Sequence, residues 1–131
     1  AQVSLDEAKK YSLERFAFGK QIGAFQALKH KMADMYVKIE LARSNAYYGA
    51  WALSTDSNEL PIAAAGARVS ASEAYNFASQ ENIQIHGGVG FTWEYDCHLF
   101  YRRSKLLSLN IGSIRQWKEN LISNLEKRNI V

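Results

Sequence analysis

The sequence predicts an all-α protein, a mostly antiparallel bundle of four to five helices. Apolar residues recur at three- and four-residue steps over long stretches, and helix formers dominate with a single proline. Glycines cluster at one place only, between two such stretches. At 131 residues, of which 47% are hydrophobic, the chain can bury a core of its own, which implies a single domain over residues 1–131.

The first helix is expected from Ala1 to Phe18, where alanine, leucine, glutamate and lysine mix at helical spacing. Ser4-Leu5-Asp6-Glu7 has the form of a capping box that would start it at Ser4; equally, Ala1 can already lie inside it. Phe18 to Ala24, punctuated by Gly19 and Gly23, reads as a loop. A second helix follows from Phe25 to Leu53, with a seam of Leu28, Met32, Met35, Ile39, Ala42, Ala46, Gly49 and Leu53. Val37, Leu41, Tyr48 and Trp51 fall off that seam, so this helix is expected to be apolar on two sides and to lie in the middle of the assembly.

Ser54 to Glu59 is polar and turn-like, and Pro61 suits the first turn of a third helix running to Ile85. Its many small residues, Ala63 to Ala67 among them, should let a neighbouring helix approach closely. A fourth helix is expected from Asp96 to Asn110, Gly112 breaks it, and Ser113 with Gln116 makes a second capping-box form that opens the last helix.

Between the third and fourth helices lies Gln84-Ile85-His86-Gly87-Gly88-Val89-Gly90. Three glycines in four residues free the backbone to take positive φ or to lie flat against another surface. A helix C-cap accounts for such glycines as well. His86 reads equally as a helix-end histidine and as a ligand contact.

Charge and cysteine usage bound the function classes. The net charge of +3 is spread among interleaved acids, so nothing supports nucleic-acid binding. No apolar run approaches the roughly 18 residues of a membrane span. Three scattered histidines and the lone Cys97 make no metal set. Cys97 cannot form an internal disulfide, which points to a reducing compartment, cytoplasmic or, in a eukaryote, the mitochondrial matrix.

Four stretches together carry a resemblance: Glu14-Arg15-Phe16-Ala17-Phe18-Gly19; Phe25-Gln26 with Ala33-Asp34-Met35; Gln84 to Gly90; and Tyr101-Arg102-Arg103-Ser104-Lys105. In this order and spacing the chain resembles the C-terminal helical domain of the flavin-dependent acyl-CoA dehydrogenases. The resemblance implies that an N-terminal helical domain and a middle β domain are missing, that the chain is a fragment, and that Ala1 lies within the bundle's first helix. It also implies FAD as cofactor, an acyl-CoA substrate, an electron-transfer flavoprotein as acceptor and a homo-oligomer, dimer or tetramer.

By the same resemblance Arg15 matches the arginine that reaches the FAD pyrophosphate of a neighbouring subunit, and a guanidinium's planar donor fork suits phosphate oxygens. Phe18, Phe25 and Gln26 match cofactor-contacting positions, and Gln84, Gly87 and Gly88 the segment laid along the dinucleotide. Ser113, Ile114 and Arg115 match the start of the last helix, whose free amides favour electron-rich groups.

One position departs from the family. Many members carry the catalytic glutamate where this chain has Ile111, and neither Ile111 nor Asn110 can take the substrate's α-proton. The resemblance leaves two ways to account for it: a glutamate in the helical turns before Ala1, or a subunit that has lost the base and serves as a structural partner in a hetero-oligomer. Glu94 matches a structural position and is not a candidate base. The fragment by itself is expected to be inactive.

Overall fold

The computed structural model describes residues 1–130. Five helices make up the bundle: α1 (Gln2–Glu14), α2 (Gln26–Ser54), α3 (Leu60–His86), α4 (Cys97–Leu109) and α5 (Ile114–Asn129). Ser113 caps α5 as its sequence suggests, its Oγ accepting the Gln116 N–H at 3.2 Å. Ser4 caps nothing: it lies inside α1, fully buried.

Helix α3 is the axis, and the contacts along it fix the direction of the other four. Lys31 pairs with Glu81 at 2.6 Å near one end of α2, and Gly49 abuts Ala63 and Ala67 near the other, so α2 runs antiparallel. Ser79 bonds Ser104 at 2.9 Å and the Arg68 guanidinium reaches the Leu107 carbonyl at 2.7 Å, which sets α4 antiparallel as well. Lys118 pairs with Glu73 and Arg128 with Glu59, so α5 is antiparallel too. Only α1 runs parallel to α3, with Glu7 beside Asn82 and Tyr11 beside His86.

The small residues on α3 produce this arrangement. Ala63, Ala65, Ala74 and Ala78 are buried, and a Cβ on Gly49 would stand 3.4 Å from that of Ala67, so the helix backbones approach closely. The apolar core gathers Leu5 and Ala8 of α1, Met35 and Ile39 of α2, and Ala78 and Ile85 of α3, with Leu28, Met32 and Phe77 at its edge.

Two expectations for α2 need correction. It is not central: Val37, Leu41, Tyr48 and Trp51 form an exposed second apolar face, because α3 carries the small residues that admit neighbours on several sides. The seam also fails at its end, where Ala52 is buried and Leu53 is exposed. The chain turns tightly after it, with the Ser57 N–H bonded to the Ala52 carbonyl at 2.9 Å.

A third correction concerns Arg15 to Ala24. Helix α1 ends at Glu14, and Phe16–Ala17 pairs antiparallel with Lys20–Gln21 in a short hairpin, followed by a 3-10 turn at Ile22–Ala24. Phe18 (φ 53) and Gly19 (φ 78) form its two-residue turn. Positive φ at both central positions matches the twist of paired strands, although a phenylalanine rarely accepts it.

Candidate functional site

Arg15 sits where three elements meet. Its N–H bonds the Tyr11 carbonyl at 2.9 Å, ending α1, and its own carbonyl accepts the Ile22 N–H at 2.9 Å, closing the base of the hairpin. The Gln21 amide reaches back to the Leu13 carbonyl at 2.6 Å. The backbone thus holds Arg15 in place while the side chain stays exposed, and no carboxylate among the described residues lies within salt-bridge distance of it.

The hairpin carries an aromatic platform. Phe18, 95% exposed at the turn, meets Phe25 edge-to-face at 6.2 Å, and the Lys20 ammonium lies 4.3 Å from the Phe25 ring centre. Phe25 is the N-cap of α2 and Gln26 its first residue. Four of the positions singled out in the sequence, Arg15, Phe18, Phe25 and Gln26, therefore belong to one corner of the bundle.

The glycine segment forms the facing wall. Gly87 (φ 66) ends α3, its N–H bonded back to the Gln84 and Ile83 carbonyls, and residues Gly87–Phe91 make a 3-10 turn. A Cβ on Gly90 would lie 2.8 Å from the Ile83 carbonyl oxygen and 3.0 Å from the His86 Cβ, so internal packing demands that glycine. Gly88 is different. It has no positive φ, and a Cβ there would meet nothing within 4 Å. The C-cap reading accounts for Gly87 and packing for Gly90; nothing inside the chain accounts for Gly88.

An open cavity of about 360 Å³ lies between Tyr11 of α1, Arg15 at its C-cap and Ile22 of the 3-10 turn after the hairpin, and Ile85, His86, Gly88, Val89 and Thr92 from the end of α3 and its turn; Phe18, Phe25 and Gln26 lie beside it and do not line it. Gln84 is exposed one turn earlier. Tyr11, Ile22, Val89 and Thr92 were not singled out in the sequence. Of these Tyr11 was legible, since it lies one helical turn before Arg15 on the same face.

Ser113 and Arg115 stand apart from this cavity. The Lys118–Glu73 pair places the start of α5 beside the middle of α3, about 14 Å along the axis from its end by helical rise. Arg115 pairs with Glu119 at 2.9 Å on an exposed surface. Just before α5, Gly112 (φ 96) and a bond from the Trp117 indole N–H to the Ile111 carbonyl at 2.7 Å fix the loop and leave the Ile111 side chain exposed. Cys97 is fully buried, and burial pushes its thiol up to about 11, so it offers no nucleophile near neutral pH.

The two glycines give a test of this geometry. Gly90→Ala should cost about 1–3 kcal/mol, because the added carbon meets backbone that cannot move aside. Gly88→Ala should leave the fold as stable or slightly more so, by up to about 1 kcal/mol. Denaturant midpoints of the two variants distinguish them, and equal destabilisation would show that Gly88 is also held by packing within the chain.

The chain is a five-helix domain with one antiparallel hairpin and a cavity where the end of α1 meets the end of α3 and its turn. The sequence profile of the acyl-CoA dehydrogenase C-terminal domain matches residues 1–119, and the chain belongs to that family. It is 45% identical over 116 residues to acyl-CoA dehydrogenase IpdE2 of Mycolicibacterium smegmatis, covering 88% of this chain and 35% of that protein. Among solved structures it matches butyryl-CoA dehydrogenase of Megasphaera elsdenii with a TM-score of 0.90 at 30% identity, covering 95% of this chain and 32% of that one. It also matches a chain in the structure of the electron transferring flavoprotein of Acidaminococcus fermentans, with a TM-score of 0.90 at 34% identity and the same coverage. The chain spans about a third of the length of these relatives.

Proposed function

We propose that this chain is the C-terminal domain of an FAD-dependent acyl-CoA dehydrogenase that introduces an α,β double bond into an acyl-CoA thioester and passes the electrons to an electron-transfer flavoprotein. The observation that carries this reading is the cavity wall shared by Arg15 and Gly88. It pairs an exposed guanidinium lacking any carboxylate partner among the described residues with a glycine whose missing side chain serves nothing inside the chain. Both fit a dinucleotide: the guanidinium supplies paired donors to phosphate oxygens, and the bare backbone admits a ligand at close range.

When bound, the flavin supplies the acceptor for the substrate's hydride. The chain's own residues bind and orient it. Arg15 takes the pyrophosphate of the cofactor held by a neighbouring protomer. Phe18, Phe25 and Gln26 on one side and Gln84, Gly87 and Gly88 on the other flank it, with Gly87 contributing mainly the turn that ends α3. The exposed apolar face of α2 is what such an oligomer, a dimer or tetramer, would cover. Ser113 and Arg115 would contact the ligand only from a separate surface. No helix among the described residues is long and apolar enough to cross a membrane.

Ile111 favours a second reading. With its side chain exposed where many members carry the base, the loop before α5 cannot take the substrate's proton. Either a glutamate from another segment does so, or the complete protein is a non-catalytic structural subunit of a hetero-oligomeric dehydrogenase. Purifying the complete protein separates the readings. The dehydrogenase purifies yellow, and its flavin absorbance bleaches when an acyl-CoA is added anaerobically. Colourless protein that FAD cannot reconstitute supports the structural subunit. Residues 1–131 alone should show no dehydrogenase activity in either case, because the rest of the flavin pocket would come from other domains.

A further inference from the structure

Besides Arg15 itself, the Arg15–Gly88 cavity is lined by the polar side chains of Tyr11, His86 and Thr92, and the proposed function gives the histidine no role. His86, the last residue of α3, is only 5% exposed. Its ring stacks on Tyr11 with centroids 4.1 Å apart and an interplanar angle of 24°, and Tyr95 meets it edge-on at 5.0 Å. Three elements thus hold the imidazole in one orientation.

The hydrogen bonding of the ring then fixes its chemistry. Nδ1 lies 2.8 Å from the Asn82 carbonyl oxygen, and a carbonyl oxygen can only accept, so Nδ1 carries the hydrogen. In the neutral ring the lone pair is therefore on Nε2. That atom has no hydrogen-bond partner among the described residues, yet it is not one of the chain's sealed, unpartnered polar atoms, unlike Nε2 of His98. The ring lines the Arg15 cavity and also a second one, of about 220 Å³, lined by Glu7, Lys10, Glu14, Glu94 and Asp96.

We propose that His86 is a ligand-binding residue of the Arg15–Gly88 cavity, its Nε2 accepting a hydrogen bond from a sugar hydroxyl of the bound dinucleotide. This rests on the reading of that cavity as the dinucleotide site. The division of labour follows from the donor and acceptor inventory. Arg15 offers only donors and suits the pyrophosphate, whereas an ionised phosphate has no hydrogen to give to Nε2. Sugar hydroxyls flank the pyrophosphate on both sides and do have one. His86 and Arg15 line one cavity, which offers those hydroxyls an acceptor beside the guanidinium's donors.

The test is FAD binding to the complete apo-protein, followed by flavin fluorescence, in wild type, His86→Phe, His86→Gln and Arg15→Ala. His86→Phe keeps an aromatic ring between Tyr11 and Tyr95 and removes Nε2. It should weaken FAD binding roughly three- to tenfold, the range expected for one net hydrogen bond, while the apo-protein loses only the Nδ1–H bond to the Asn82 carbonyl and melts at most slightly lower. His86→Gln, which restores an acceptor, should recover part of the loss. Weakened binding in Arg15→Ala with wild-type affinity in His86→Phe overturns this assignment and leaves the dinucleotide site standing. Wild-type affinity in both variants overturns both. A loss in His86→Phe that only tracks a fall in apo-protein stability, with no recovery in His86→Gln, assigns the histidine to packing and overturns the proposal as well.

Discussion

Met35→Ala should destabilise the domain by about 2–5 kcal/mol, the range for truncating a fully buried large apolar side chain. Met35 has no accessible surface, and in the core it joins Leu5 and Ala8 of α1, Ile39 of α2, and Ala78 and Ile85 of α3. The alanines around it have nothing to extend into the space it would leave, so the site collapses poorly. Met35→Leu, which nearly conserves volume, should cost less than about 1.5 kcal/mol. Denaturant unfolding monitored by circular dichroism measures both. A loss below about 1 kcal/mol for the alanine variant would mean that α1 and α2 do not share one core.

Arg15→Ala should weaken FAD binding by the complete protein roughly ten- to hundredfold, the equivalent of a charge-assisted hydrogen bond or two. The fold should survive it. Arg15 closes the hairpin through its backbone N–H and carbonyl, which an alanine supplies equally well. Arg15→Lys keeps a positive charge but loses the planar fork, so its affinity should fall between the two. FAD titration of the apo-protein gives the constants. Wild-type affinity in the alanine variant would remove Arg15 from the cofactor site.

How much of this was legible in the sequence varies along the chain. Helices α2 to α5 were readable to within a residue or two, because their periodicity and their punctuation by Pro61, the Gly87 cluster, Gly112 and Ser113 agree. The hairpin at Phe16–Gln21 was not, because its turn places a phenylalanine at positive φ, which no local preference announces. The role of α3 as axis was understated for a related reason. Alanines score weakly as apolar residues, whereas the second apolar face of α2 catches the eye and remains exposed in the single chain.

The candidate site shows the same division. Family resemblance nominates Arg15, Phe18 and Gly88, and the structure brings Arg15 and Gly88 to one cavity with Phe18 on the adjoining hairpin. Pattern alone could not rank the three glycines of the turn, since their different reasons lie in φ and in the distance to Ile83. Nor could it fix the tautomer of His86, which depends on the Asn82 carbonyl one turn earlier.

The most direct test of the central claim is a structure of the complete protein with FAD bound. The account predicts that the pyrophosphate of one protomer's cofactor lies within hydrogen-bond distance of the Arg15 guanidinium of its neighbour, with the Gly88 backbone against the same dinucleotide. A cofactor bound elsewhere, with Arg15 facing solvent, would contradict it.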